Sequence, residues 1–170
     1  MDTAPDADPT WRYPWPAGTR LAGDVALLTE FRGRRCCELG CGRGAVGRAA
    51  LAAGAAEVLF LDISPEPLAL LADELGHDPR VRTARHAWGD PVPDGPYDLV
   101  LGGDILYRPP YFRRLIHSVG LALDGGSTAL LADPRTTLEP ELFDAIAAEG
   151  LTATQERREA GYTLLRLRRG

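Results

Sequence analysis

The sequence predicts an α/β fold in which a doubly wound, mostly parallel sheet carries helices on both faces. Strand-like and helical segments alternate along most of the chain, and this alternation is typical of units that build a parallel sheet. Residues 58–61 are apolar at every position, as expected for a strand that is buried on both faces. The chain closes on two strand-like runs around Ala160-Gly161. These runs predict a C-terminal antiparallel hairpin, with an antiparallel strand at one edge of the sheet.

Residues 1–10 are acidic, rich in proline and without large apolar groups, so we expect a disordered lead-in. The remainder, 11–170, is expected to form a single domain, because 170 residues leave no room for a second full-sized core. Order should begin at an aromatic cluster in which two prolines, Pro14 and Pro16, disfavour a helix. A first helix is then predicted from apolar residues at helical spacing. The aromatic residues are Trp11, Tyr13 and Trp15, and the helical ones are Leu21, Val25, Leu28 and Phe31.

Seven strands are predicted beyond that helix. They cover residues 35–39, 58–61, 81–86, 97–101, 128–132, 151–158 and 162–168. The intervening helices are predicted from alanine-rich or periodic segments that begin near proline or end at glycine. They cover residues 45–53, 65–75, 110–123 and 139–149.

Charge and cysteine content narrow the expected partners and compartment. Lys+Arg number 19 against 24 Asp+Glu, and the net charge of −5 gives no general attraction to nucleic acid or anionic membranes. We therefore expect no nucleic-acid or membrane partner. We also expect a monomer. Cys36, Cys37 and Cys41 have neither disulfide nor zinc spacing, so they are interpreted as buried small hydrophobic residues and no metal is expected. No signal peptide is predicted, which favours a cytoplasmic location.

A glycine-rich loop, Gly40-Cys41-Gly42-Arg43-Gly44, follows the first predicted strand. Alternating glycines let the backbone turn tightly and approach a ligand with no side chain between them. In an open α/β sheet, this loop lies where ligands bind. Asp62 ends the second strand about twenty residues later, and its carboxylate suits the two hydroxyls of a ribose. An acid at the start of the next helix is the alternative interpretation of Asp62.

Two ligand classes fit this loop. A nicotinamide dinucleotide is one, because Gly40-x-Gly42-x-x-Ala45 also satisfies the relaxed dinucleotide pattern. Glu38, two residues before the first glycine, favours S-adenosyl-L-methionine, which presents an ammonium and a sulfonium where a dinucleotide presents phosphates. The chain contains no lysine, which counts against a reductase that depends on a Tyr-x-x-x-Lys pair.

The segment Glu38-Leu-Gly-Cys-Gly-Arg-Gly44 resembles the first cofactor motif of the class I, Rossmann-like methyltransferases that use S-adenosyl-L-methionine. The resemblance implies that Gly40, Cys41 and Gly42 line the methionine and ribose portions, while Asp62 holds the ribose hydroxyls. The full set of expected cofactor contacts is Trp15, Glu38, Gly40, Cys41, Gly42, Gly44, Asp62, Ile63, Trp88 and Gly103.

Further elements resemble the small seven-strand protein lysine methyltransferases, whose members act on chaperones, elongation factors and the electron-transfer flavoprotein β-subunit. They are Trp15-Pro16 before a helix, Trp88-Gly89 after the third strand, Gly103-Asp104-Ile105-Leu106-Tyr107 after the fourth and Asp133-Pro134 after the fifth. The resemblance implies that the Trp88 ring lies against the adenine. It also implies transfer of a methyl group to the amine of a protein lysine.

Asp104 and Tyr107 are the predicted catalytic residues. Asp104 would bind the incoming ammonium, and Tyr107 would wall the methyl site or hydrogen-bond the nucleophile. The alternatives are a capping role for Asp104 at the helix near Pro109-Pro110 and simple packing for Tyr107. At the level of function, a methyltransferase acting on a small-molecule amine is the main alternative. A nicotinamide-dependent oxidoreductase and a non-catalytic cofactor-binding subunit are the others.

Overall fold

Residues 9–169 are described in a computed structural model of the chain, so most of the predicted lead-in and Gly170 lie outside the described residues. The strands are β1 Arg35–Leu39, β2 Glu57–Asp62, β3 Val81–Arg85, β4 Leu99–Gly103, β5 Thr128–Asp133, β6 Leu151–Arg157 and β7 Thr163–Arg169. The α-helices are α1 Pro16–Ala22, α2 Val25–Phe31, α3 Ala45–Ala52, α4 Pro65–Leu75, α5 Phe112–Ala122 and α6 Pro140–Ala148. Two 3-10 turns cover Pro9–Arg12 and Pro109–Tyr111.

The strands form one mixed sheet in the order β3-β2-β1-β4-β5-β7-β6. Strands β1 to β5 are parallel, and only β7 pairs antiparallel with its two neighbours. This confirms the predicted seven-strand, doubly wound fold with a C-terminal hairpin. Because β1 pairs with β2 on one side and β4 on the other, the chain reverses its winding direction there. Ligand clefts form at such a point, outside the carboxyl ends of the strands.

The expected place of the antiparallel strand was wrong. β7 lies between β5 and β6, and the edge strand is β6, which therefore runs parallel to β5. Burial explains why β7 lies inside the sheet and β6 at its edge. Leu164, Leu165 and Leu167 of β7 are all buried, so both faces of this strand need cover, whereas most of β6 is exposed.

The N-terminal segment also differs from its prediction. Pro16 begins α1 instead of preventing a helix. At the first helical position a backbone amide would have no partner within the helix, so a proline there loses no hydrogen bond, and its fixed φ is already helical. The predicted single helix is divided between α1 and α2 at Gly23-Asp24. The Asp24 carboxylate turns toward the C-terminal hairpin, where it accepts hydrogen bonds from Arg158 Nε at 2.9 Å and the Tyr162 hydroxyl at 2.8 Å.

Apolar side chains cover both faces of the sheet in two separate clusters. One contains Phe112, Ile116 and other residues of α5 and α6; the other contains Leu21 of α1 and Val46 of α3. Cys36, Cys37 and Cys41 are free and buried, as predicted, and burial raises the pKa of the Cys36 thiol to about 12. Within residues 9–169, no helix is both long and apolar enough to cross a membrane.

Candidate active site

A cleft of about 540 Å³ opens at the carboxyl ends of β1, β2 and β4. The glycine loop, the loop after β3 and the start of α1 form its walls. Eleven of the twelve predicted site residues line it: Trp15, Glu38, Gly40, Cys41, Gly42, Asp62, Ile63, Trp88, Gly103, Asp104 and Tyr107. The topology therefore brings together residues that are up to 92 positions apart in the sequence, from Trp15 to Tyr107.

The glycine loop needs glycine for both conformation and space. Gly40 and Gly42 have φ values of 58° and 48°, in the left-handed region that side chains rarely adopt. A Cβ on Gly40 would lie 3.0 Å from Ile105 Cγ2 and 3.7 Å from Trp88 Cζ2. The loop is fixed to β2 by the amide of Cys41, which donates to the Leu61 carbonyl at 2.9 Å. A rigid backbone wall therefore faces the cleft.

Gly44 is the predicted site residue that the structure places elsewhere. It does not line the cleft, although its φ of 72° is also left-handed. A Cβ there would lie 2.8 Å from Phe60 Cε1 and 2.9 Å from Leu71 Cδ2. Gly44 thus allows α3 to pack against the sheet and α4, which is a structural reason for the third glycine of the motif.

Glu38 lies at the floor of the cleft with both carboxylate oxygens turned toward α3. It accepts hydrogen bonds from the backbone amides of Gly47 at 2.8 Å and Val46 at 3.3 Å. Burial raises the pKa of Glu38 to about 7; the two amides oppose this shift, and nearby Asp62 adds to it. Glu38, the expected partner of a cationic ligand, therefore also holds the first turn of α3 against β1.

Asp62 occupies the end of β2 and is buried. One of its oxygens accepts the backbone amide of Gly42 at 2.9 Å, and the other accepts the amide of Ser64, also at 2.9 Å. Asp62 therefore ties the glycine loop to the segment before α4. A carboxylate has about four lone-pair sites, so it retains capacity to accept hydrogen bonds from a diol.

Asp104 follows β4 and is also buried. Its oxygens accept the backbone amides of Gly18 at 2.6 Å and Ala17 at 3.2 Å, in the first turn of α1. The predicted alternative, capping of the helix near Pro109, is thus wrong in its partner: Asp104 caps a helix 86 residues earlier in the chain. Burial raises the pKa of Asp104, and the two amides oppose that shift.

The close approach of α1 to β4 explains two further glycines. A Cβ on Gly18 would lie 3.3 Å from Gly103 Cα, and one on Gly103 would overlap the backbone of Gly18. Asp104 itself has a φ of 56°, which an aspartate tolerates better than most residues. The glycine pair and the carboxylate together seat α1 beside the cleft.

Aromatic rings surround the cleft mouth. Trp15 and Tyr107 stack with ring centroids 6.2 Å apart and an interplanar angle of 12°, and each is more than two-fifths exposed. Trp88 packs edge-on against Tyr111, also at 6.2 Å. The Arg108 guanidinium lies 5.2 Å from the Tyr107 ring centroid and 6.0 Å from that of Tyr111. The mouth is thus lined by aromatic rings, and a protein cation already lies over two of them.

The cleft also contains residues that the sequence analysis did not assign to the site, and Trp11, Gly18 and Tyr111 are three of them. Trp11 contacts the glycine loop, since a Cβ on Gly42 would lie 3.7 Å from Trp11 Cα. Tyr111 and Gly18 line the cleft as well. Trp11 stood in the recognised aromatic cluster at a spacing of four from Trp15, which could have indicated a shared location. No comparable signal marked Tyr111 or Gly18.

Comparison with known proteins agrees with this architecture. The methyltransferase domain family matches residues 37–128. The chain is 33% identical over 127 residues to protein N-lysine methyltransferase METTL21A of Danio rerio, covering 69% of this chain and 58% of the relative. It is 32% identical over 141 residues to the electron transfer flavoprotein beta subunit lysine methyltransferase of Xenopus laevis, covering 76% and 54%.

Among solved structures, a TehB-like SAM-dependent methyltransferase from Corynebacterium glutamicum superposes with a TM-score of 0.71 at 15% identity. The match covers 91% of this chain and 88% of that one. At this identity the likeness shows the fold, whereas the sequence match over residues 37–128 shows the family. The chain spans somewhat more than half the length of the two lysine methyltransferases. The chain therefore belongs to the methyltransferase domain family and has the class I fold of the S-adenosylmethionine-dependent enzymes.

Proposed function

We propose that this chain is an S-adenosyl-L-methionine-dependent methyltransferase that methylates the ε-amino group of a protein lysine. The observation that carries the proposal is the single cleft in which the glycine loop, Asp62, Trp88, Asp104 and Tyr107 meet. The similarity to two lysine methyltransferases supports the choice of acceptor. The family match favours methyl transfer over the nicotinamide-dependent oxidoreductase that the glycine pattern alone left open.

The residues of the cleft fit the cofactor. Gly40 and Gly42 leave backbone without side chains at the wall, in a place that a Cβ would fill. Asp62 would accept hydrogen bonds from the ribose hydroxyls, and the apolar surfaces of Ile63 and Trp88 would contact the adenine. When bound, the cofactor would supply a methyl group on a sulfonium: a neutral amine attacks the methyl carbon in line with the C–S bond, that bond breaks, and the sulfur leaves as a neutral thioether.

The remaining cleft residues would act on the acceptor. A lysine amine must lose its proton to attack, because its ordinary pKa is about 10.4. Asp104 would accept a hydrogen bond from the incoming ammonium with the lone pairs that Ala17 and Gly18 leave free. Tyr107, at the mouth, would orient the lysine stem. Positioning is the main contribution of such groups, with reacting atoms held about 3–3.5 Å apart.

The mouth of the cleft favours a protein acceptor. Tyr13 is 68% exposed, and Trp15 and Tyr107 are 43% and 42% exposed. A small-molecule site normally buries most of its ligand, whereas an open aromatic mouth suits a side chain that projects from a larger surface. A small-molecule amine remains the second candidate, since the cleft volume lies in the range of small-molecule sites.

Monomeric state, cytoplasmic location and the lack of nucleic-acid, membrane and metal partners remain proposals. Of the four large hydrophobic side chains that are exposed in the described part of the chain, three line the cleft, which supports a monomer. Three free thiols support a reducing compartment. Light scattering coupled to gel filtration and fractionation of cells would test the first two proposals.

Methyl transfer can be tested with radiolabelled cofactor and a lysate of the source organism. We expect label in a protein band, with the methyl group on a lysine nitrogen after digestion. The enzyme itself contains no lysine, so such label cannot arise from its own side chains. Label found only in the small-molecule fraction would replace the protein acceptor with a metabolite. Thermal unfolding should show stabilisation by S-adenosylmethionine and not by NAD; stabilisation by NAD alone would contradict the cofactor.

A further inference from the structure

A second depression adjoins the cleft on the side of α5. It measures about 480 Å³ and is lined by Ala87, Trp88, Gly89, Asp90, Arg113, Arg114 and His117. Ala87, Trp88 and Arg114 line the cleft as well, so the two concavities are continuous. Tyr111 packs against Trp88, and Arg108 lies over the rings of both Tyr111 and Tyr107, so the start of α5 connects the depression to the cleft mouth. A polypeptide whose lysine enters beside Tyr107 could therefore extend over this depression.

Hydrogen bonds fix the floor of the depression. The Gly89 amide donates to Ser118 Oγ at 2.8 Å, and the Ser118 hydroxyl donates to the Asp90 carbonyl at 3.2 Å. Gly89 has a φ of 106°, which side chains rarely adopt. The stem of Arg114 packs over this glycine, because a Cβ there would lie 3.5 Å from both Arg114 Cβ and Cγ. This contact therefore fixes the part of the Arg114 side chain from which the guanidinium group extends.

The depression carries excess positive charge although the chain is acidic overall. Arg113 and Arg114 are exposed, and neither forms an ion pair or hydrogen bond within residues 9–169. By contrast, Arg158 and Arg166 pair with Asp24 and Glu30. His117 is hydrogen-bonded to Glu149, and Asp90 is the acidic residue among those that line the depression.

The two arginines occupy an unfavourable place for helix stability. They stand in the first turn of α5, which contains no acidic residue, whereas the first turns of α4 and α6 contain Glu66 and Glu141. The N-terminus of a helix carries partial positive charge, so cations there oppose the helix dipole. A bound anion would interact favourably with both the guanidinium groups and the dipole.

We infer that this depression binds acidic residues that flank the acceptor lysine of a protein substrate. The inference rests on the proposed function and specifies its substrate class: a lysine beside Asp or Glu. Nucleic acid is the less suitable partner, because its binding depends on several phosphate contacts. The depression offers two unpaired arginines next to an aspartate, on a chain of net charge −5.

Direct binding tests the inference without requiring turnover. Two fluorescein-labelled peptides, each with one lysine, are titrated with the protein at saturating S-adenosylhomocysteine and low salt. One peptide has two glutamates on each side of the lysine, and the other has two serines. We expect at least tenfold tighter binding of the glutamate peptide, and R113E/R114E should weaken that binding at least tenfold. Binding of the serine peptide should change less than twofold.

Stability and binding should move in opposite directions in this variant. Glutamates in the first turn of α5 complement the helix dipole, so the Tm of R113E/R114E should equal or exceed that of the parent. R32E is the matched control, because Arg32 is also exposed and lies at the opposite end of the sheet, before β1. It should leave binding of the glutamate peptide unchanged, and because Arg32 is the C-cap of α2, where a cation is favourable, its Tm should equal or fall below that of the parent. Salt at 0.5 M should weaken the binding of the glutamate peptide and leave that of the serine peptide unchanged.

Equal affinity for the two peptides, or no binding of the glutamate peptide, overturns the inference. So does tighter binding of a twelve-nucleotide single-stranded RNA that R113E/R114E abolishes, since this result assigns the arginines to nucleic acid. The proposed function is judged separately with radiolabelled cofactor. A glutamate peptide that binds as expected while no lysine of any substrate accepts a methyl group leaves the docking surface standing and contradicts the lysine methyltransferase.

Discussion

The ends of β2 and β4 form two corners of the cleft that invite comparison. The β2 corner consists of Asp62, Ser64 and Gly42, and the β4 corner of Asp104, Ala17 and Gly18. In each corner, a buried aspartate accepts two backbone amides, one on each oxygen. In the β2 corner the partners belong to the glycine loop and the next turn, whereas in the β4 corner they belong to a helix at the start of the chain.

The difference indicates a division of labour along the cleft. The β2 corner fixes the backbone that would contact the cofactor. The β4 corner fixes α1, and with it the N-terminal residue Trp15, which stacks on Tyr107 at the mouth. Substitutions in the first corner should therefore change cofactor affinity, and those in the second should change stability and turnover. The following predictions test this separation, from the largest expected effect to the smallest.

Gly103→Ala should have the largest effect, because the new Cβ would overlap the backbone of Gly18 and α1 would have to move. Overpacking against backbone should lower the free energy of unfolding by about 3 kcal/mol. Urea unfolding measures this loss. Gly125→Ala is the control, since Gly125 is exposed and its Cβ would meet no atom within 4 Å. Equal midpoints for the two variants would contradict the tight α1–β4 contact.

Asp62→Ala should weaken S-adenosylmethionine binding about thirtyfold to more than a hundredfold. Losing the hydrogen bonds of a diol to a charged acceptor costs on the order of 2–3 kcal/mol. Loosening of the glycine loop should add a smaller loss of stability, because Gly42 and Ser64 lose their acceptor. Titration calorimetry measures the affinity, with the exposed Asp73→Ala as control. Unchanged affinity would remove Asp62 from the cofactor site.

Asp104→Asn should keep cofactor affinity within about twofold and lower kcat by roughly thirtyfold, or about 2 kcal/mol. The amide cannot hold an ammonium as a carboxylate does, and its NH₂ group would meet the amide of Ala17 or Gly18. Methylation kinetics and calorimetry separate the two quantities. Normal turnover would show that the role assigned to Asp104 is wrong, and a cofactor affinity that falls with kcat would break the separation between the corners.

Glu38 lies on β1 between the two corners, and its titration should produce the smallest effect. Its pKa is about 7 in the folded protein and near 4.5 when unfolded, so the folded state binds the proton more tightly. The stability contribution of Glu38 is therefore complete below pH 4.5 and declines as the pH rises toward 7. Between pH 6 and 8 this loss should be on the order of 1 kcal/mol.

Urea unfolding of the parent and Glu38→Gln across this pH range checks the expected decline. The variant should show a flatter dependence, because its side chain does not titrate. Parallel curves would place the titrating group elsewhere. Asp104, whose pKa is also raised by burial, is present in both proteins and cancels in the comparison.

Local sequence features were sufficient for most of the fold and for the β2 corner. β1 and α4 have the bounds that their apolar patterns predict, because both are determined by neighbours within a few residues. Asp62 was identifiable because it ends an apolar strand about twenty residues after the glycine loop. Gly44 shows the limit of such motifs: the same glycine pattern predicts a ligand contact, yet this glycine accommodates Phe60 and Leu71.

The sequence by itself determined the alternating α/β architecture, the glycine loop and the set of residues at the carboxyl ends of the strands. Only the tertiary structure decided where β7 inserts, which helix Asp104 caps and that Arg113 and Arg114 adjoin the cleft. The physical reason is the range of the interactions. Periodicity and turn chemistry act over a few residues. The Gly18–Gly103 contact and the Asp104–α1 hydrogen bonds join segments more than eighty residues apart, and the strand order depends on which surfaces remain to be buried.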